Sequence, residues 1–398
     1  MAGGGTGGHM VPGLHLLAHL VDRVEQPAGL GRSSLAPGTV ADRLEHILWL
    51  RGGRPVEELV LADFPRRCAG VPAEIISLGL DRPGGGARPL PGQALRLPAA
   101  ARAAARALRQ QGSTVLLGLG GYVSAPAVLG ARLARVPVVL LEVNALAGRA
   151  TRTLAPLARH VVHAWPATLP GGGPEGVPGK TGERGRRHLR LGPPLAPEYL
   201  GASDDGAARE RLGFSAGRPL LLVLGGSQGA GALNAFLARE GDALIKGGLS
   251  ILHQTGPGRL SEAAGGLPGE YYRAVEYLDP VAEALAGSTL TLCRGGAGTL
   301  AEVAGSCLPA WVVPYEHGDR HQARNAAQLG AGARVLTEAT LAATDGGATR
   351  ELLGAAADGE LRGRMRAALA RAMPRDGAAA LGRLLAELSQ TNTIPGGR

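Results

Sequence analysis

Three glycine-rich stretches carry the amides and side chains of this chain that could do chemistry. In Arg218–Asn234, RPLLLVLGGSQGAGALN, the apolar run Leu220–Leu224 suits a strand buried on both faces of a parallel sheet. Gly225 and Gly226 make a turn, and Ser227 and Gln228 are expected to open a helix running through Leu233 and Phe236. That order creates an anion site, because the first N–H groups of a helix have no intrahelical partner and point outward. The spacing GGSQGAG differs from the dinucleotide pattern GxGxxG, so the loop by itself indicates phosphate and no particular nucleotide. Arg294–Thr299, RGGAGT, is a second such loop, fed by a strand at Thr289–Cys293 and opening a helix over Leu300–Ala304. Glu302 is placed in the first turn of that helix, where it either complements the helix dipole or serves a ligand. The third stretch, GGGTGGHM at Gly3–Met10, leaves too little chain before it for a full strand, so the strand is clipped or starts in the glycines. His15, Leu16, Leu17, Leu20 and Val24 have helical spacing after Pro12. His9 sits between loop and helix. It reads either as a polar residue at a helix start or as a general base, whose neutral form the helix N-terminus would favour.

The elements that must hold these loops alternate between strand and helix. Thr114–Leu119, Pro137–Leu141 and Val161–Val162 read as strands, with Ser124–Ala134 as a helix between the first two. In the second half, Ser250–Gln254, Ala274–Tyr277 and Ala310–Pro314 read as strands and Asp319–Leu329 as a helix carrying Gln322 and Asn325. Residues 341–384 are mostly helical and alanine-rich, and 391 onward looks disordered. Glycines and polar residues just past the strand ends are the doubly wound pattern, with ligands expected at those carboxyl ends. Gly79–Gly92 and Pro166–Arg190 read as loops, and Gly192–Pro197, GPPLAP, as an interdomain hinge. Two Rossmann-like parallel-sheet domains, 1–195 and 196–375, would leave a cleft between them, followed by a helix end and tail at 376–398. Neither half has an acidic residue at the end of a second strand about 20 residues past its glycine loop, where NAD-type sites hold the ribose. That argues against a dehydrogenase and favours a nucleotide-sugar enzyme.

Composition narrows the partners. The net charge is +9 and nearly all of the positive charge is arginine, since Lys180 and Lys246 are the only lysines. A basic surface suits nucleic acid, anionic lipid or phosphorylated substrates. Nucleic acid is the weakest of these, because aromatic residues are only 3% and no helix carries a base-reading pattern. Cys68, Cys293 and Cys307 are few and widely separated, which argues against a disulfide framework or zinc site and fits a reducing cytoplasm. The N-terminus lacks the pattern of a secretory signal, and no stretch approaches the roughly 20 apolar residues of a membrane span. Ala94–Gln111, with Arg96, Arg102, Arg106 and Arg109, reads as a basic amphipathic helix. It could rest on anionic headgroups or simply present a solvated face over an alanine-rich inner side.

GGTGGHMVPGL at Gly4–Leu14, GLGGYVSAPAVLGARL at Gly118–Leu133 and VPVVLLEVNALAGRATRTLA at Val136–Ala155 resemble the N-terminal half of the MurG family of bacterial N-acetylglucosaminyltransferases. LLVLGGSQGAGALN, HQTG at His253–Gly256, CRGGAGTLAEVA at Cys293–Ala304 and PYEHGDRHQARNA at Pro314–Ala326 resemble its C-terminal half, in the same order. The resemblance implies a two-Rossmann (GT-B) fold. It also implies transfer of GlcNAc from UDP-GlcNAc to undecaprenyl-pyrophosphoryl-MurNAc-pentapeptide (lipid I), giving lipid II with inversion, at the cytoplasmic membrane face and with no cofactor or obligatory metal. On that resemblance Ser227 and the following amides would hold the donor diphosphate and the backbone at Leu278 the uracil. Ala297, Gly298, Thr299, Leu300 and Ala301 would line diphosphate and ribose, Glu302 would accept the ribose hydroxyls, and Gln322 would bond sugar hydroxyls. Thr6, Gly7, Gly8 and Asn144 would form the acceptor side, with His9 deprotonating the acceptor 4-hydroxyl. Departures from the family pattern fall at Ala196 (an arginine in the family), Val143 (glutamine), Gly295 (serine), Gly298 (a bulky aliphatic) and His321 (glutamine). Ala196, Val143 and Gly298 keep open a catalytically weakened nucleotide-sugar-binding homologue; a UDP-GlcNAc 2-epimerase-like isomerase of related fold is another reading, against which the GGTGGH and GGY loops speak.

Overall fold

The computed structural model describes residues 1–5, 7–25, 44–81, 90–168, 187–263, 265–316 and 321–392. The chain divides into two compact units, Met1–Ala196 with Asp376–Arg398, and Pro197–Arg375.

The first unit runs α1 (Gly7–Glu25), β1 (Ile47–Arg51), α2 (Pro55–Val60), α3 (Phe64–Arg67), β2 (Ala73–Ser77), α4 (Leu90–Gln110), β3 (Leu116–Gly118), α5 (Ser124–Ala134), β4 (Val138–Glu142), α6 (Arg149–Leu154), β5 (His160–His163) and β6 (His188–Arg190). All its strand pairings are parallel: β1 with β2, β3 with β4, β4 with β5, and β5 with β6. The clipped strand expected before the first glycine loop is there, reduced to a stub. Ala2 bridges Leu50 on one side and Gly118 on the other. The bonds Ala2 N to Leu117 O (2.8 Å), Leu119 N to Ala2 O (2.8 Å) and Leu50 N to Met1 O (2.9 Å) join β1–β2 to β3–β6 through it. The stub therefore occupies the centre of an open parallel sheet.

Three sequence expectations need correction here. Helix α1 starts at Gly7 rather than after Pro12, so His9 lies in its first turn. Pro12 is the sixth residue of this helix and has no N–H to give to the carbonyl of Gly8, one turn before it. The segment 166–190, read as a loop, closes with strand β6, although residues 169–186 lie outside the described residues. Helix α4 begins at Leu90, ahead of the expected Ala94. The rest of the Gly79–Gly92 reading falls largely on residues 82–89, also outside the described residues.

Small side chains set the helix packing. A Cβ added at Gly130 of α5 would lie 2.6 Å from Ala104 Cβ and 2.7 Å from Ala101 O. The two helices thus approach almost backbone to backbone, and Ala100, Ala101, Ala104, Ala105 and Leu108 of α4 are buried while Arg102 and Arg106 stay exposed. The alanine-rich inner side expected for this helix is a packing surface.

The second unit runs α7 (Gly206–Arg211), β7 (Leu220–Leu224), α8 (Gly231–Lys246), β8 (Ser250–Gln254), β9 (Tyr272–Val275), α9 (Ala282–Gly287), β10 (Leu290–Cys293), α10 (Ala297–Gly305), β11 (Ala310–Val312), α11 (His321–Ala327), β12 (Ala333–Val335), α12 (Glu338–Ala342), α13 (Gly347–Ala357) and α14 (Gly359–Ala372). Its six parallel strands lie in the order β12-β11-β10-β7-β8-β9. Helices cover both faces, which is why β7, β8 and β10 are buried along their whole length. The last helix, α15 (Gly377–Thr391), belongs to the first unit. Thr114 meets Ser389 (Oγ1 to Oγ, 2.6 Å), and a Cβ added at Gly382 would lie 3.1 Å from Leu20 Cδ2 of α1. Both units are doubly wound α/β, as the alternation of strands and helices led us to expect; the tail expected to be disordered falls on residues 393–398, outside the described residues.

Candidate active site

In the second unit the chain passes from β7 to β8 and β9 on one side, and then places β10, β11 and β12 on the other. The strand order reverses between β7 and β10, and ligands of open α/β sheets bind outside the carboxyl ends of the strands at such a point. Two of the glycine loops leave the sheet there, and Arg294 N bonds Leu224 O across it at 3.1 Å.

The first loop differs in detail from the expectation. Ser227 and Gln228 form a turn closed by Gly229 N to Gly226 O (3.0 Å), and α8 begins only at Gly231. The cause is backbone geometry: Gly226 and Gly229 have φ of +79° and +73°, which a right-handed helix cannot contain. A Cβ at Gly229 would lie 2.3 Å from Thr255 O and 2.9 Å from Gly256 Cα, so this turn packs directly on the one after β8. Gln254 Nε2 donates to Gly226 O at 3.0 Å and locks the pair. The open amides are those of Gly231 and Ala232, the first two of α8.

The second loop ends in Gly296, the N-cap of α10. The helix starts three residues earlier than expected, so Glu302 is its sixth residue and lies in the second turn, buried. A simple dipole complement would sit nearer the start. Ala297, Leu300 and Ala301 are buried, Gly298 and Thr299 half-buried, and a Cβ added at Gly298 would meet nothing within 4 Å. Gln322 Oε1 accepts Gly295 N (3.1 Å) and Tyr315 N (2.9 Å), which turns its amide nitrogen to other acceptors; Asn325 Nδ2 donates to Gly295 O (3.0 Å). A Cβ at Gly295 would lie 2.5 Å from Gln322 O, so glycine here is what lets α11 come so close. Leu278 is half-buried three residues past β9. Ser227, Leu278, Ala297–Glu302 and Gln322 thus all lie past the carboxyl ends of this sheet.

The first unit repeats the arrangement around the Met1–Gly3 stub and β3. Thr6 lies outside the described residues; Gly7 and Gly8 are the first residues of α1. The half-buried His9 ring rests on two glycines of positive φ: added Cβ atoms would lie 3.0 Å from its Cδ2 at Gly120 and 3.3 Å from its Nδ1 at Gly121. Burial lowers the His9 pKa below the ordinary imidazole value, and the charge of Glu142 opposes this in part. At neutral pH the ring is the neutral base. Glu142, at the end of β4, accepts from Asn144 N (3.0 Å) and Nδ2 (3.1 Å), Gly148 N (2.8 Å) and Thr151 Oγ1 (2.7 Å). It thereby orients Asn144 and sets the field at His9.

Sequence reasoning missed the support of this loop. Glu57 is fully buried; its Oε1 accepts Gly5 N (2.7 Å) and its Oε2 accepts Gly52 N (3.0 Å), Gly53 N (2.7 Å) and Arg54 N (3.2 Å). Tyr122 donates to Glu57 Oε1 (3.2 Å) and to Asp81, Arg54 Nε donates to Asp81 Oδ2 (3.3 Å), and the Arg54 guanidinium lies 4.5 Å from the Tyr122 ring centroid. Burial, with the bond to Asp81 next, raises the Tyr122 pKa, so the phenol stays protonated as a donor. The usable signal was GGRPVE at 52–57, a glycine turn, a proline opening a helix and an acid at its third position.

Comparison with known proteins agrees with both halves. Residues 56–163 match the Glycosyltransferase family 28 N-terminal domain and residues 220–344 the Glycosyltransferase family 28 C-terminal domain. A UDP-N-acetylglucosamine--N-acetylmuramyl-(pentapeptide) pyrophosphoryl-undecaprenol N-acetylglucosamine transferase from Paenarthrobacter aurescens is 35% identical over 344 residues, 85% of this chain and 82% of that protein. The protein of the same name from Yersinia enterocolitica is 33% identical over 84% of this chain and 83% of its own length. Among solved structures, MurG of Acinetobacter baumannii superposes with a TM-score of 0.64 at 23% identity, covering 97% of this chain and 98% of its own. A glycosyltransferase of kitacinnamycin gives 0.61 at 16% identity, with 98% of each chain covered.

Proposed function

This chain belongs to the MurG family of pyrophosphoryl-undecaprenol N-acetylglucosamine transferases, and we propose from that premise how its residues divide the work. It is a UDP-GlcNAc-dependent transferase of GT-B fold that places GlcNAc on lipid I to make lipid II. In our reading the second unit takes the donor: the diphosphate lies on the amides past Ser227 at the start of α8, Glu302 accepts the ribose hydroxyls, and the Gln322 amide nitrogen donates to the sugar. The first unit takes the acceptor, with Gly7, Gly8 and the start of α1 on its pyrophosphate and Asn144 on its sugar. His9 accepts the proton of the acceptor 4-hydroxyl as that oxygen bonds to the anomeric carbon and the bond from this carbon to the UDP oxygen breaks, with inversion. Charge developing on departing UDP meets preorganised amides and the positive end of a helix dipole. The observation that carries the reading is the pair of glycine loops at the β7–β10 strand-order reversal, with buried Glu302 on the helix that one of them opens.

The test is UDP release and disaccharide formation from UDP-GlcNAc with and without a lipid I analogue. The reading requires acceptor-dependent turnover. UDP-ManNAc formed from UDP-GlcNAc alone would instead make the chain an isomerase. Turnover no greater than that of Glu302→Ala would support the weakened homologue, for which Ala196 and Val143, both buried and uncharged, and Gly298 are the motive.

The acceptor's lipid also requires a membrane surface, and no helix among the described residues is long and apolar enough to cross one. We assign surface binding to the outer face of α4, where Arg102 and Arg106 are exposed and Leu95 is 85% exposed. Arg96 and Arg109 are held by Gly79 O and Leu133 O. Co-sedimentation with anionic vesicles should fall on reversing the charges of Arg102 and Arg106; unchanged partitioning would refute this face.

A further inference from the structure

Arg259, in the turn after β8, lies against the start of α8. A Cβ added at Gly231 would be 2.8 Å from its Nη2 and 3.9 Å from its Cζ, and one at Gly229 would be 3.1 Å from its Cδ. The side chain therefore runs beside the glycine turn and ends at the first residue of the helix, on the room that Gly229 and Gly231 leave. A guanidinium at the positive end of a helix dipole is unfavourably placed unless an anion accompanies it. Glu262 now does so, accepting Nε on Oε1 at 2.7 Å and Nη2 on Oε2 at 2.8 Å. The two side chains are 32% and 40% exposed, so the ion pair is open to water and to a ligand.

Glu262 is fixed from behind by a buried chain of bonds. Asn234 Nδ2 donates to Glu262 Oε2 (2.9 Å), Asn234 Oδ1 meets His253 Nε2 (2.9 Å), and His253 Nδ1 meets Tyr272 Oη (2.9 Å). The carboxylate is thus held on both sides, by Asn234 and by the guanidinium. We propose that Arg259 is a donor-binding residue, which turns from Glu262 onto the diphosphate when UDP-GlcNAc occupies the start of α8. This rests on the donor reading above and adds a charged fork to a grip otherwise made of neutral amides. A diphosphate carries more negative charge than one carboxylate and presents paired oxygens that suit a planar guanidinium.

Calorimetric titration of UDP and of uridine into wild type, Arg259→Gln and Glu262→Gln tests this. Arg259→Gln should weaken UDP by about 10- to 100-fold, the usual worth of a charge-assisted bond, and leave uridine unchanged, since uridine has no phosphate. Glu262→Gln should bind UDP at least as tightly as wild type, because it frees the guanidinium. Equal UDP affinity in wild type and Arg259→Gln overturns the proposal. So does an equal loss of uridine in that variant, or a loss of UDP in Glu262→Gln matching that of Arg259→Gln, either of which marks a structural pin. A wild type that binds no UDP removes the donor reading itself, and this inference with it.

Discussion

Replacing His9 with glutamine is expected to lower kcat by about 10²–10⁴-fold, the usual contribution of a positioned general base. The variant should bind UDP as wild type does, because the donor is assigned to the other unit. The ring lies in the first turn of α1 against Gly120 and Gly121, where an added Cβ would come within 3.0 Å and 3.3 Å of it. Burial depresses its pKa and Glu142 restores part of the loss. A base of lowered pKa stays unprotonated to a more acidic pH. The kcat profile should therefore hold flat through neutrality and fall only below the ordinary imidazole range, as His9 takes up its proton. His9→Gln should lack that acid limb. A kcat within a few-fold of wild type, or an unchanged limb in the variant, would transfer the base role elsewhere.

The second large effect is expected at Glu302. A buried carboxylate offers two acceptor oxygens on one rigid helix, which matches a pair of neighbouring ribose hydroxyls. Hydrogen bonds to a charged group are worth about 1.5–3 kcal/mol each, so losing both would cost roughly 3–6 kcal/mol, about 10²–10⁴-fold in donor affinity. Glu302→Gln keeps one acceptor oxygen and should fall between. Comparing UDP with 2′-deoxy-UDP isolates the contact: wild type should discriminate strongly between them and Glu302→Ala hardly at all. Equal discrimination by both proteins would remove Glu302 from the ribose.

The strand–turn–helix logic of the second unit was legible because its central strand, buried on both faces, reads as an unbroken apolar run at Leu220–Leu224, beside which Ser250–Gln254 is buried as completely. Where each helix begins was less legible. Local spacing placed the start of α8 at Ser227 and that of α10 at Leu300. The positive φ of Gly226 and Gly229 delays the one, and the extended N-cap Gly296 advances the other. Sheet edges were illegible for a different reason. Strand β2 is only half-buried and β6 is three residues long, so neither carries a strong periodic signal. The Glu57 network was missed because its partners, Gly5, Gly52, Asp81 and Tyr122, are far apart in sequence and meet only once the stub at Ala2 has joined the two parts of the sheet. Nor does anything local in Gly377–Thr391 announce that it returns to the first unit.

The central claim is that the donor diphosphate is held by backbone amides at the strand-order reversal of the second unit. A crystal structure with UDP bound tests it most directly. The account predicts phosphate oxygens within hydrogen-bond distance of the Gly231 and Ala232 amides, with both ribose hydroxyls on Glu302. UDP seated away from both glycine loops, or ribose hydroxyls turned away from Glu302, would contradict it.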